Sequence, residues 1–194
     1  NVAPGDYLGD NFQLDFVQGL SPSSRITIDG DNVTATRDSV LLRNSGATSQ
    51  AAFSFVRTSY VTVKNMTIST SRVGNGNHAV VHFNEESGYD SLVAVRVTLD
   101  PTATFGAYGI MASSLPTNTF AAGHHVNNLV VMNSSFDGGD NSIRIIGNGG
   151  AFPSLPGSGW TVGNKFINNT STNADDQQYG RWFYEHWVNC TYHC

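Results

Sequence analysis

With 194 residues, the chain is long enough to bury one substantial core, and no stretch reads as a linker, so one domain is expected over residues 1–194. Only 13% of residues are charged while 39% are hydrophobic, which excludes a disordered chain; polarity rests on hydroxyls and amides. A formal charge of −5, with Lys64 and Lys165 the only lysines, excludes a basic nucleic-acid footprint and a polybasic membrane surface, and no apolar run reaches the roughly 18 residues of a spanning helix.

Residues 1–25 form an opening segment, in which a turn around Val2-Ala-Pro-Gly-Asp-Tyr7 precedes Phe12, Leu14 and Phe16 at alternating positions. Period-two alternation predicts a strand with one buried face. Ile26-Thr-Ile28 is the next strand and ends at the turn Asp29-Gly-Asp-Asn32. Val40-Leu-Leu42 and Ala51 to Val56 follow, then Tyr60-Val-Thr-Val-Lys-Asn-Met-Thr-Ile68, Ala79 to Phe83, Leu92 to Asp100 and Tyr108 to Ala112. Further on lie Leu129 to Phe136, Ser142 to Ile146, Trp160 to Thr170 and an aromatic run from Tyr179 to Trp187. No segment carries helix formers at helical spacing, so helix is expected to be nearly absent.

The stretch at 60–68 recurs. Asn65-Met-Thr-Ile68 aligns with Arg96-Val-Thr-Leu99, Asn133-Ser-Ser-Phe136 and Asn164-Lys-Phe-Ile167, at steps of 31, 37 and 31 residues. Equivalent β-prone runs separated by whole repeats favour a parallel coil over a sandwich, whose hairpins need two-residue turns. This alignment places Val63, Val95, Met132 and the vicinity of Val162 in one interior column, and Asn65, Asn133 and Asn164 in an amide ladder at a corner, interrupted by Arg96. The expected fold is all-β: a parallel solenoid of five to six coils, with repeats over 26–173 and a distinct segment at 174–194.

Val2 to Tyr7, Ile26-Thr-Ile-Asp-Gly30, and Tyr60 to Ile68 with its later copies resemble the right-handed parallel β-helix repeat proteins, especially secreted and surface-associated bacterial ones. That family spans polysaccharide lyases, glycoside hydrolases, tailspikes and adhesins, so the resemblance implies a fold and an extracellular setting without selecting a function. A chain starting at Asn1 fits a processed secreted product or a piece of a longer adhesin or tailspike.

Several residue groups are candidate sites. Asp137-Gly-Gly-Asp-Asn141, with His124 and His125 upstream, faintly resembles the acid and base carboxylates of polygalacturonase-type β-helix hydrolases. In it Asp137 and Asp140 would be catalytic, but the adjacent Asp pair of that family is broken as Asp140-Asn141, and a plain turn explains the Gly and Asp content. Asp29, Asp31, Asp137 and Asp140 offer oxygens to Ca²⁺, against solvated turns as the simpler reading. His186, Cys190, His193 and Cys194 can all bind zinc, yet a disulfide between Cys190 and Cys194, or to a neighbouring chain, fits their spacing better. His78 and His82 are expected on a polar face or hydrogen-bonded within the stack.

Tyr179, Trp182, Phe183, Tyr184 and Trp187 form an aromatic set suited to a sugar ring, a protein interface or a cap over the last coil. In a strand Trp182 and Tyr184 would share one face. Sequons stand at Asn32, Asn65, Asn133, Asn168, Asn169 and Asn189. A solenoid leaves unpaired strand edges at its ends unless capped, so the leading expectation is a non-catalytic, secreted structural or adhesive module that self-associates, with no cofactor. The alternative is a carbohydrate-active lyase, hydrolase or glycan-binding module.

Overall fold

The computed structural model describes residues 1–9, 11–30, 39–44, 51–70, 78–84, 87–99, 107–112, 126–139, 141–146, 161–173, 181–186 and 188–193, with 78, 146, 161–162, 181–186 and 188–193 described by backbone alone. No helix occurs among them. Their strands repeat in threes. Coil 1 holds β1 (Gly5–Gly9), β2 (Phe12–Asp15) and β3 (Ile26–Asp29), and coil 2 holds β4 (Val40–Asn44), β5 (Ala51–Val56) and β6 (Val61–Lys64). Coil 3 contains β7 (Thr67–Thr70), β8 (His78–Asn84) and β9 (Ser91–Val93), and coil 4 contains β10 (Arg96–Leu99), β11 (Ala107–Ala112) and β12 (Val130–Met132). Coil 5 comprises β13 (Ser135–Asp137), β14 (Asn141–Ile146) and β15 (Thr161–Ile167), and coil 6 comprises β16 (Thr170–Thr172), β17 (Arg181–His186) and β18 (Val188–His193).

Every third strand pairs with the next in parallel, giving three six-stranded sheets: A from β1 to β16, B from β2 to β17, and C from β3 to β18. The chain is an all-β parallel solenoid of six coils. Alternation at period two decides which side chains enter the core. In sheet C the interior column is Ile28, Val63, Leu92, Val131 and Phe166; in sheet A it begins Tyr7, Leu42, Ile68, Val97 and Phe136. Sheet B contributes two columns, one of which stacks the rings of Phe55 and Phe83 at 4.3 Å.

This register corrects the sequence alignment. Val63 stacks on Leu92 and Val131, not on Val95 and Met132. Val95 enters the core from the following corner, and Met132 lies half-buried on the other side of its strand. The outer face of sheet B is itself covered, with Ala79, Tyr108 and Met111 forming a second small buried cluster and His82 buried beside them.

The corners explain how strands that short can turn. In the four links from sheet C to sheet A that start at β6, β9, β12 and β15 the connection is two residues, and its first member has positive φ: Asn65 (55°), Ala94 (53°), Asn133 (52°) and Asn168 (51°). The corner ladder therefore reads Asn65, Ala94, Asn133, Asn168, at steps of 29, 39 and 35 residues. Arg96 and Asn164 are not in it. A second left-handed column leads into sheet C through Tyr60, Tyr89, Asn128 and Gly163. Asn and Gly tolerate this conformation, whereas Tyr adopts it at a cost.

The second residue of each C-to-A corner points inward, and the series Met66, Val95, Ser134, Asn169 turns from apolar to polar along the solenoid. The polar members satisfy the backbone they meet. Val95 N–H donates to Ser134 Oγ at 3.2 Å, and Ser134 N–H donates to Asn169 Oδ1 at 3.0 Å while Asn169 Nδ2 donates to the Val131 carbonyl at 2.9 Å.

Candidate functional site

Coil 1 is unlike the coils above it. Its strands β1, β2 and β3 are each the terminal strand of a sheet, so among the described residues no further strand pairs with their outer edge. Its core residues Val2, Tyr7, Phe12, Leu14, Val17 and Ile28 are only partly buried against the interior. Of four large hydrophobic residues exposed among the described residues, Leu8 (67%), Phe16 (63%) and Ile26 (43%) belong to this coil or its connections.

Coil 1 pairs with coil 2 through three parallel ladders, and among the described residues an ion pair accompanies each. Asp6 pairs with Arg43 in sheet A, Asp15 with Arg57 at 3.0 Å at the end of sheet B, and Asp29 with Lys64 at 2.8 Å in sheet C. Such surface pairs contribute about 0–1 kcal/mol each and weaken with salt, so they add little to the three ladders that hold coil 1 to coil 2.

Beside this edge, the corner between sheets B and C carries aromatic rings and guanidinium groups. The Arg57 guanidinium lies 3.8 Å from the Phe16 ring centre, and Arg25 lies 5.7 Å from that of Tyr60. Arg25 Nη1 also donates to the Val61 carbonyl, Thr62 Oγ1 and Ser91 Oγ, which fixes it along sheet C. The Tyr60 and Tyr89 rings stack at 4.8 Å and 13°, and Tyr89 is the fourth exposed hydrophobic, at 47%. Aromatic and Arg side chains in this combination are characteristic of interface anchors.

One buried carboxyl lies under the same corner. Asp90 accepts the Val61 N–H at 2.8 Å and the Thr58 hydroxyl at 2.6 Å. Burial pushes its pKa up to about 6, against the lowering effects of those two hydrogen bonds and of Arg25. Asn164 stands two coils on at the same register position and is bonded the same way: its Oδ1 accepts from Leu129 N–H at 2.8 Å and its Nδ2 donates to the Val126 carbonyl at 3.2 Å. Asn164 is therefore an interior bracket, a role its sequence alignment with Asn65 concealed.

The residues singled out from sequence fare differently. Asp137 is exposed on β13, where its Oδ1 accepts from Thr172 Oγ1 at 3.1 Å and Asn173 Nδ2 at 2.8 Å. Gly138 and Gly139 follow with φ of 83° and 86°, the backbone geometry of a turn. Asp140, His124 and His125, with which Asp137 was grouped, lie outside the described residues, as do Asn32, Asp31, Tyr179, Trp187 and Cys194. Asp29 is engaged by Lys64 and by Asn65 Nδ2 at 2.9 Å. Among the described residues no three His, Cys, Asp or Glu side chains are grouped as metal ligands.

Trp182, Phe183 and Tyr184 fall in β17, and Asn189 and Cys190 in β18, known by backbone only. Among the sequons, Asn133 and Asn168 are exposed, Asn65 Nδ2 is bonded to Asp29, and the Asn169 amide is consumed by Ser134 and Val131. The exposure of Leu8, Phe16 and Ile26 was not read from the sequence, where Phe16 was expected on the buried face, and the stacked tyrosines left no signal either, because stacking depends on register. The chain matches no protein-family model, no curated protein and no solved structure.

Proposed function

We propose that the chain is a structural module of an extracellular assembly, joining a second copy of itself by packing coil 1 against one of that copy's coil ends. The observation that carries this reading is the coincidence, in one coil, of three open sheet edges with half-buried core residues and the exposed Leu8, Phe16 and Ile26. Apolar side chains beside unpaired backbone are stabilised when another set of strands covers them. An end with edges on three sheets is matched in shape by another end of the same cross-section, which every copy supplies. The low charge and the exposed sequons at Asn133 and Asn168 suit an extracellular setting.

Sedimentation velocity over a concentration series tests the reading. The wild-type chain is expected to gain mass reversibly, and the Leu8→Asp/Phe16→Asp variant to remain monomeric with an unchanged unfolding midpoint. Both side chains are exposed, and Asp tolerates the left-handed backbone at position 16 better than Phe. A wild type that stays monomeric at the highest concentration sinks the proposal.

A further inference from the structure

We propose that Tyr60 and Tyr89 form an oxidative cross-linking site, closing to dityrosine between coils 2 and 3 when a haem peroxidase supplied with hydrogen peroxide acts on the folded chain. Among the described residues, five of the ten non-glycine residues with positive φ are Asn, and the later members of this corner column are Asn128 and Gly163, types that accept the conformation. Tyr60 and Tyr89 hold it with bulky side chains, and backbone preference does not account for them. What the two share is the stacked pair of phenol rings.

The rings are 4.8 Å apart and 13° from parallel, a spacing imposed by the roughly 4.8 Å separation of adjacent strands. Among the described residues no other tyrosines stack. Tyr89 is 47% exposed, so an external oxidant can reach it, and Tyr60 is half-buried directly beneath it. Arg25 lies near the Tyr60 ring and limits its displacement.

In the reaction each phenol loses one electron and one proton to give a phenoxyl radical. The radicals couple by forming one carbon–carbon bond between ring positions ortho to the oxygens. The two hydrogens on those carbons then move to the oxygens, restoring both phenols, so the pair has lost two hydrogens in all. Hydrogen peroxide accepts the two electrons and two protons and leaves as two water molecules. The bond needs only a tilt of the rings, because their backbones are already in adjacent coils. The product staples coils 2 and 3 to each other.

The test treats the dilute purified chain with a haem peroxidase and limiting hydrogen peroxide, then reads the monomer fraction by intact mass, dityrosine fluorescence and peptide mapping. The expected product is a monomer lighter by two hydrogens with the Tyr60 peptide joined to the Tyr89 peptide. Tyr60→Phe and Tyr89→Phe keep the stacked ring but should each abolish the linkage, while Tyr7→Phe should leave it intact. A monomer unchanged in mass, a linkage between other tyrosines, or an undiminished yield in Tyr89→Phe overturns the proposal.

Discussion

At the scale of single residues, the solenoid interior shows how one register position can hold chemically different side chains. Asp90 and Asn164 both accept a backbone N–H from the coil below, but Asp90 does so as a carboxyl whose pKa is raised to about 6 by burial. A raised carboxyl pKa means the folded chain binds its proton more tightly than the unfolded chain. Stability is then full below pH 4, falls as pH rises from about 4 to about 6, and is flat above, a loss on the order of 3 kcal/mol. Asp90→Asn should reproduce the Asn164 arrangement, with Nδ2 donating to Thr58. Urea unfolding across this pH range is expected to show the mutant more stable than wild type at pH 7 and insensitive between pH 4 and 6.

Two further residues set limits on packing. Asn169→Ala would strand the Ser134 N–H and the Val131 carbonyl, and should cost about 2–4 kcal/mol by the same measurement. A Cβ at Gly109 would meet the Ser142 carbonyl oxygen, and Phe136 Cδ1 at 2.9 Å. Gly109 thus makes room for the Phe136 ring where the preceding coils of sheet A have Ile68 and Val97. Gly109→Ala should destabilise by about 3 kcal/mol, and Phe136→Val in the same chain should recover part of that loss.

At the scale of elements, strands were legible and register was not. Alternation in Phe12-Gln-Leu14 matches the half-buried Phe12 and Leu14 about the exposed Gln13, but the expected alternation fails at Phe16, which lies past β2 with positive φ and is exposed, and at Ile26, which is exposed on the end coil. Register depends on the corners, whose signal is a left-handed residue. Asn65 and Asn133 carry that signal, but Ala94 has no sequence mark for it, so the alignment slid two residues to Arg96. At Asn164 the slide was four residues, because the true corner is Asn168 and β15 contains an irregularity between Val162 and Asn164 that admits Gly163. Exposed ion pairs and partial burial also make a prediction for coil 1. Amides of β4 facing coil 1 should exchange faster than those of β8 or β11, and raising salt should widen the gap, because the Asp6–Arg43, Asp15–Arg57 and Asp29–Lys64 pairs are screened.

At the scale of the whole molecule, the three sheets bring β1, β2 and β3 to one end and β16, β17 and β18 to the other. Open sheet edges at those ends were foreseeable from the solenoid pattern, since any parallel stack must stop somewhere. How far Val2, Tyr7, Phe12 and Leu14 sink into the core was not foreseeable, because it depends on what packs against them across the coil. Among the residues whose side chains are described, which do not include the aromatic run at 179–187, the exposed large hydrophobic residues gather around coil 1 and the adjoining Tyr89 corner.

Hydrogen exchange measured by mass spectrometry on dilute and concentrated samples of the wild-type chain tests self-association through coil 1 most directly. The account predicts that segments 5–15 and 26–29 gain protection as concentration rises, joined by 170–193 if copies stack head to tail and without it if two coil 1 ends meet. Protection of 5–15 and 26–29 that does not change with concentration, in a chain that remains monomeric, would contradict it.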